Sequence, residues 1–260
     1  MVSFTRSLLS AACLGGLLGG LVYGPAAQAA PAATAPAELV AAIEAIEAAA
    51  NAQNIDQVMA LHAPDFEGAD GFTAEQYAAT LTAFWQQYSR LTYAVELLSW
   101  EPSDTGFVAE TRTLVDGTQV VSGRAMTLTA EVRSRQEFVN GLVTRQEILT
   151  ETSRLIAGQT PPNVQVQLPP AVRPGQNFSF DAIVAEPLGD RLLLGVAFDE
   201  GTTATDFLTP RPVDLEALSA GGLFKIGKAP AQPDQRWISA VLIRADGMVI
   251  DTRRLRVGNP

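Results

Sequence analysis

The sequence predicts an α+β domain, with three helices on a curved antiparallel sheet, followed by an all-β sandwich domain. Apolar residues recur at helical spacing in three segments before Leu91 and at strand spacing beyond it. A long hairpin about Asn140-Gly141 closes the first half. Beyond Gly158 to Pro162 (GQTPP) the strand-like runs become shorter and the turns more frequent. Helices first and a strand meander after place the helices on one face of the sheet.

The N-terminus reads as a targeting segment. Arg6 gives a basic flank, and Leu8 to Tyr23 is an apolar, glycine-broken run too short for a comfortable bilayer span. Ala27-Gln28-Ala29 fits a small-x-small cleavage rule. The expectation is a signal peptide over 1–29, a mature chain from Ala30, and an extracytoplasmic location, periplasmic or secreted. Cys13 is the single cysteine and falls inside this segment. A lipoprotein would be cut before Cys13, but Ser10 stands where such signals carry leucine, and the apolar run continues past it. The expected mature chain then has no thiol and no disulfide, so its cores alone must hold it together.

Residues 30–37 read as an Ala/Pro tether. Glu38 to Asn51 carries Leu39, Ile43, Ile46 and Ala50 on one stripe and predicts a helix. Asn54, with Gln57 three residues on, caps a second, short helix running to His62. Thr73 and Gln76 form the capping box of a third, with Phe72 and Tyr77 at the staple positions. Tyr77, Leu81, Phe84 and Tyr88 make its apolar stripe, beside Trp85. Leu81 and Phe84 read as core, and the polar-tipped Tyr77 and Tyr88 as pocket candidates.

Leu91 to Trp100 and Gly106 to Val115 read as strands, with turns at Pro102-Ser103-Asp104 and Asp116-Gly117. Met126, Leu128, Ala130, Val132 and Phe138 then alternate with polar residues, a period of two that marks a half-buried strand. Asn140-Gly141 suits a type I′ turn, in which both central residues take positive φ. Such a turn pairs Val139 with Leu142, Phe138 with Val143, Val132 with Leu149 and Met126 with Leu155. It also sets Glu147 opposite Ser134 and Glu151 opposite Ala130, on the apolar face. These two carboxylates form a polar floor to a pocket, or else that end of the face meets solvent or the register slips. A desolvated carboxylate has its pKa raised unless an arginine or a hydrogen-bond donor compensates. With Tyr93 on the first strand, the pocket candidates are Tyr77, Tyr88, Tyr93, Glu147 and Glu151.

In the second half, Val164 to Leu168, Phe178 to Ala185 and Arg191 to Phe198 read as strands. Ala171 to Gly175 and Pro187 to Asp190 read as turns. Trp237 to Arg244 and Met248 to Val257 form a hairpin about Asp246-Gly247, pairing Ile243 with Ile250. Glu200 to Ala229 is left as one long irregular connection. The pattern is that of a sandwich of roughly seven strands, immunoglobulin-like in architecture but without the paired cysteines of antibody-type domains. The expected division is one domain over 38–157, a linker over 158–162, and a second domain over 163–260.

The net charge is −10, and the chain has only two lysines, Lys225 and Lys228. Loss of Arg6 with the leader leaves 17 basic against 28 acidic residues, a net −11. Nucleic acid and anionic membrane surfaces, which attract basic footprints, are therefore poor expectations as partners; no nucleic acid partner and no membrane span in the mature chain are expected. His62, the only histidine, has Asp65 three residues on. The pair could act as base and orienter, but it reads better as a histidine at a helix C-terminus, where the dipole favours it. One histidine and no mature cysteine exclude an ordinary zinc site. Asp199, Glu200 and Asp206 match no calcium-loop spacing and read as a solvated acidic loop. No cofactor and no catalytic residue is assigned.

Two segments resemble the nuclear transport factor 2-like superfamily, which includes SnoaL-like polyketide cyclases and ketosteroid isomerases. One is Asn54 to Phe66 (NIDQVMALHAPDF), similar to a helix followed by an acidic turn. The other is Glu137 to Val143 (EFVNGLV), similar to the closing hairpin of that family. The resemblance covers about Glu38 to Ile156 and implies a cone-shaped fold whose helices and sheet enclose a pocket. The whole chain resembles exported bacterial proteins of this kind, cyanobacterial ones among them. The resemblance implies no activity, since one fold hosts many functions. Three readings stand. The first is a non-catalytic module binding a small apolar or amphipathic ligand, or a partner that includes a second copy of the chain. The second is a SnoaL-like lyase or isomerase using a pocket carboxylate, Glu147 or Glu151, with a tyrosine as oxyanion donor. The third is an adhesion or assembly protein acting through the sandwich.

Overall fold

The computed structural model describes residues 29–68, 70–121, 123–187, 189, 191–208, 213–218 and 221–258. The expected leader lies outside these residues up to residue 28, as do Leu188 and Asp190 of the expected turn at Pro187 to Asp190. No helix among the described residues is long and apolar enough to cross a membrane.

The chain opens with the short strand β1 (Ala30–Pro31), a 3-10 turn, and helices α1 (Ala37–Asn51) and α2 (Ile55–Ala60). Strand β2 (His62–Gly68) leads to α3 (Ala74–Gln87). A meander follows: β3 (Arg90–Pro102), β4 (Gly106–Val121), β5 (Arg124–Val139) and β6 (Leu142–Gly158). The second half holds β7 (Val164–Gln167), β8 (Ala171–Val172), β9 (Asn177–Val184), β10 (Leu194–Gly201), α4 (Ala204–Leu208), β11 (Glu216–Ala217), β12 (Gly222–Lys228), β13 (Asp234–Arg244) and β14 (Gly247–Val257).

This architecture overturns the expected fold class. Strand makes up 57% of the structure and helix 19%, so the protein is mostly β rather than an α+β domain joined to a separate sandwich. The cause is one pairing. The last half of β6 bonds to β14, from Gly158 beside Gly247 to Thr152 beside Arg253. The meander and the C-terminal strands therefore merge into one 11-stranded sheet, ordered β1-β3-β4-β5-β6-β14-β13-β10-β11 with β2 and β8 attached at the side. A smaller sheet, β12-β9-β7, faces the C-terminal part of it. Phe180, Ala182, Leu223, Ile238, Leu242, Val249 and Leu255 fill the space between them. Each of the larger of these buried side chains contributes about 1.5–3 kcal/mol relative to exposure.

The helices close the other part of the large sheet. Leu39 and Ile43 of α1 pack with Phe66, Ala109, Phe138 and Val143. Farther along, Val58, Trp85, Leu91, Val115 and Leu128 form a second cluster. The helix α1 also covers the open edge of β3. The Asn51 amide donates to the Tyr93 carbonyl at 2.9 Å and accepts from its N–H at 2.8 Å. Glu47 accepts from the Val95 N–H at 2.7 Å. Side chains thus stand in for a missing strand and leave that edge unavailable for aggregation.

Several local expectations change. The turn placed at Asp116-Gly117 is absent, and β4 runs through it. Gly117 is needed for room, since a Cβ there would lie 2.8 Å from Leu91 and 3.0 Å from Tyr88. The second short helix stops at Ala60, and His62 begins a strand that pairs in parallel with β6. The C-terminal hairpin turns at Ala245-Asp246, so Ile243 faces Met248 instead of Ile250. Gly247 then meets Gly158 across the seam, where a Cβ on either would lie about 2.5–2.6 Å from backbone atoms. The connection expected to be irregular contains α4, β11 and β12. Its strands were hidden by brevity and by outward apolar residues, Phe224 and Ile226, that break the alternation.

The seam gives a testable expectation. If a protease site is inserted between Gln159 and Thr160 and cut, the two fragments should still co-elute in native buffer, held by β6 and β14, and separate in urea. Separate elution in native buffer would show that the seam does not hold the halves together.

Candidate functional site

A cavity of about 550 Å³ lies over the middle of the large sheet, where the two halves of the chain meet. Its floor can be traced by register. Ala130 of β5 faces Ser153 of β6, Ser153 faces Thr252 of β14, Thr252 faces Ser239 of β13, and Ser239 faces Phe198 of β10. All five line the cavity. Small side chains in the first four places leave the volume empty, and Ser239 and Thr252 satisfy each other's hydroxyls at 2.8 Å.

The neighbouring row carries the charges. Val132 faces Glu151, and Trp237 faces Arg254. Glu151 Oε2 accepts from Trp237 Nε1 at 2.9 Å and from Arg254 Nε and Nη2 at 3.0 and 2.8 Å. Arg254 Nη1 donates to both oxygens of Asp70, at 2.9 and 3.0 Å. Asp70 follows β2, so the cluster ties the α-helical half to the C-terminal hairpin. The Arg254 side chain is only 4% exposed. Burial works to lower its pKa, yet the charges of Glu151 and Asp70 outweigh this and raise it. Arg254 is therefore a fixed cation.

Aromatic side chains form the roof. The capping box predicted at Thr73 and Gln76 is present in both directions and sets the start of α3. Phe84 of α3 and Tyr88 just past its end lie 4.9 Å apart, Phe84 meets Phe207 of α4 at 6.3 Å, and Phe207 meets Trp237 at 6.0 Å. Tyr77 packs against Phe66 and His62. Tyr93 accepts from Trp85 Nε1 at 2.9 Å. Burial pushes all three phenols up, and takes Tyr93 to about 12 although the Trp85 bond pulls the other way. At neutral pH these groups are neutral hydrogen-bonders.

Four of the five residues singled out from sequence, Tyr77, Tyr88, Tyr93 and Glu151, line this cavity, and Glu147 does not. The reason is strand parity. The Asn140-Gly141 turn has the expected positive φ values, 51° and 80°, and Val139 and Phe138 pair as expected. A bulge then shifts β6 by one residue, so Glu147 faces Arg135 and Ile148 takes the place opposite Ser134. A second bulge shifts it again, and Glu151 returns to the cavity side opposite Val132 instead of Ala130. Each extra residue reverses the faces, and two restore them. Met126 accordingly faces Ala157, not Leu155.

Asp70, Ser153, Phe207, Trp237, Ser239, Thr252 and Arg254 were not found from sequence. Their only local signal is small or polar residues at inward strand positions, and that signal is unreadable until β6 is known to pair with β14. His62 is buried, and its Nδ1 lies 2.8 Å from the Val58 carbonyl, which fixes the proton on that nitrogen. Burial lowers its pKa against the raising effect of this bond, so it caps α2 as a neutral ring. Asp199 pairs with Arg236 at 3.0 Å and Asp206 with Thr203 at 2.6 Å. Among the described residues no group of three or more His, Cys, Asp or Glu could hold a metal.

Residues 159–258 match a family profile described as a domain of unknown function (DUF8623). No curated protein matches the chain. Among solved structures it is similar to a cystatin-fold protein from Novosphingobium aromaticivorans, at 17% identity and a TM-score of 0.32, covering 44% of this chain and 98% of that one. It is also similar to a ketosteroid isomerase from Mycobacterium sp., at 18% identity and a TM-score of 0.30, covering 43% and 91%. A third is a nuclear transport factor 2-like protein of unknown function from Exiguobacterium, at 16% identity and a TM-score of 0.30, covering 43% and 95%.

The tyrosines supply a pH prediction. A phenol whose folded pKa is raised costs no stability below its ordinary value of 10.0, and destabilises the fold as pH climbs from there through about 12. Ultraviolet titration of the chain starting at Ala30, whose tyrosines are Tyr77, Tyr88 and Tyr93, should therefore show no phenol ionising at the ordinary midpoint while the fold persists. A normal step there would mean that water reaches these rings freely.

Proposed function

We propose that the protein is an exported, non-catalytic binding module that holds a small apolar or amphipathic ligand in this cavity. The observation that carries the reading is the cavity itself. At about 550 Å³ it falls in the usual range for small-molecule sites, and it joins a roof of rings to a floor of small side chains. Core packing does not normally leave such a space empty, since interiors are close-packed.

The isomerase or lyase alternative has less support. It needs a carboxylate base that is not already held in an ion pair. Glu151 spends one oxygen on three donors and shares Arg254 with Asp70, while Glu147 lies on the other face of β6. Tyr93 has the character of an oxyanion donor, but no unshared base stands beside it.

Nile red, a neutral apolar dye, tests the reading. It should bind about once per chain with enhanced, blue-shifted emission. Replacing Ala130 by Phe, which fills the floor, should weaken binding at least about tenfold with an unchanged circular dichroism spectrum. No binding by the parent, or equal binding by the filled variant, would refute the cavity reading. Export rests on the N-terminal pattern alone. N-terminal sequencing of the protein recovered outside the cytoplasm should begin at Ala30, and a retained leader or a lipid on Cys13 would contradict it.

A further inference from the structure

We propose that the ligand of this cavity is an organic cation, an ammonium group on an apolar body, with the ammonium against Oε1 of Glu151. The proposal deepens the binding-module reading and rests on it.

The argument begins with which oxygens are used. All three hydrogen bonds that Trp237 and Arg254 make to Glu151 fall on its Oε2. Oε1 has no partner among the described residues, and the Glu151 side chain keeps 23% exposure on the cavity wall. A carboxylate oxygen accepts and cannot donate, so it calls for a donor on the ligand.

Charge then narrows the class. Asp70 and Glu151 together share one guanidinium, and two negative charges against one positive leave that end of the cavity negative. Arg254 is the only cationic side chain among the described residues that line the cavity, and it already serves both carboxylates. A ligand carboxylate or phosphate would enter a low-dielectric site against this charge with no uncommitted cation to meet it. An ammonium group would balance the excess and donate to Oε1 in a charge-assisted bond.

The rings favour the same class. Tyr88, Phe84, Phe207 and Trp237 form a continuous arc, with centroids 4.9, 6.3 and 6.0 Å apart. Aromatic faces carry negative potential and attract cations, most strongly where water is excluded. The Arg254 guanidinium already stands 5.9 Å from the Trp237 ring. The arc would hold the carbon body of the ligand and the positive carbons beside its nitrogen.

Three ligands with one carbon chain and different heads decide the matter: decylammonium, decanol and decanoate, each below its micelle concentration at neutral pH and competing with Nile red. Decylammonium should bind at least about tenfold tighter than decanol, the difference between a charge-assisted and a neutral hydrogen bond, and decanoate should bind weakest. Glu151→Gln should erase the preference while decanol still binds. The comparison on the unaltered protein stands even if that variant misfolds. Decanol or decanoate equal to or tighter than decylammonium would overturn the cationic class and leave the cavity reading intact. Nile red bound but displaced by none of the three would also overturn it. If Nile red itself does not bind, the cavity reading fails and this proposal fails with it.

Discussion

The second edge of β6 is the constraint on which the rest of the molecule depends. One edge of this strand is occupied by β5 along its whole length. The other is shared. Near its start β2 pairs with it, from His62 beside Val143 to Gly68 beside Gln146. Near its end β14 pairs with it, from Arg253 beside Thr152 onward. Between the two, from Glu147 to Glu151, neither neighbour is bonded. An unpaired stretch of backbone in a sheet interior must be managed, and here the two neighbours diverge around a cavity instead of closing over it.

The Asp70–Arg254–Glu151 cluster spans that divergence. Asp70 comes from the turn after β2, Arg254 is the residue just past the last β14 pair, and Glu151 is the residue just before it on β6. Such an ion cluster adds little net stability over a well-packed apolar alternative, because removing charges from water costs several kcal/mol per ion. Breaking it is another matter, since a carboxylate left buried without its cation typically costs about 3–5 kcal/mol. The cluster therefore fixes the geometry of the opening more than it stabilises the whole fold. The same residues that fix the opening also give one end of the cavity its charge.

The cavity belongs to neither half alone. Its roof comes from α3 and α4, and its floor runs through β5 and β6 into β14, β13 and β10. A chain lacking residues beyond Gly158 would expose Ala130, Val132 and Ser153 beside an open strand edge. A chain lacking the helices would expose Trp237 and Phe198. Each half supplies what the other lacks, and residues 159–258, which match a family profile, hold only part of the cavity wall.

Legibility followed range. Asn54 capping α2 and the reciprocal box at Thr73 and Gln76 were readable because a cap involves residues three apart. The type I′ turn at Asn140-Gly141 was readable because only glycine and a few polar residues tolerate positive φ there. Glu151 was readable for an incomplete reason: simple alternation put it on the cavity side, and two bulges that alternation does not reveal happened to return it there. Glu147 failed by the same rule, with one bulge between it and the turn.

The sequence by itself determined several local elements: the first three helices, the caps of α2 and α3, the long hairpin, and a tyrosine-bearing face on α3. These depend on backbone preferences and on side chains within a few residues of one another. Only the tertiary structure decided that β6 and β14 share an edge, that the two halves form one sheet, and that Arg254 sits between Asp70 and Glu151. Strand pairing between residues about a hundred positions apart leaves almost no trace in either strand, because every backbone offers the same N–H and C=O groups to any partner.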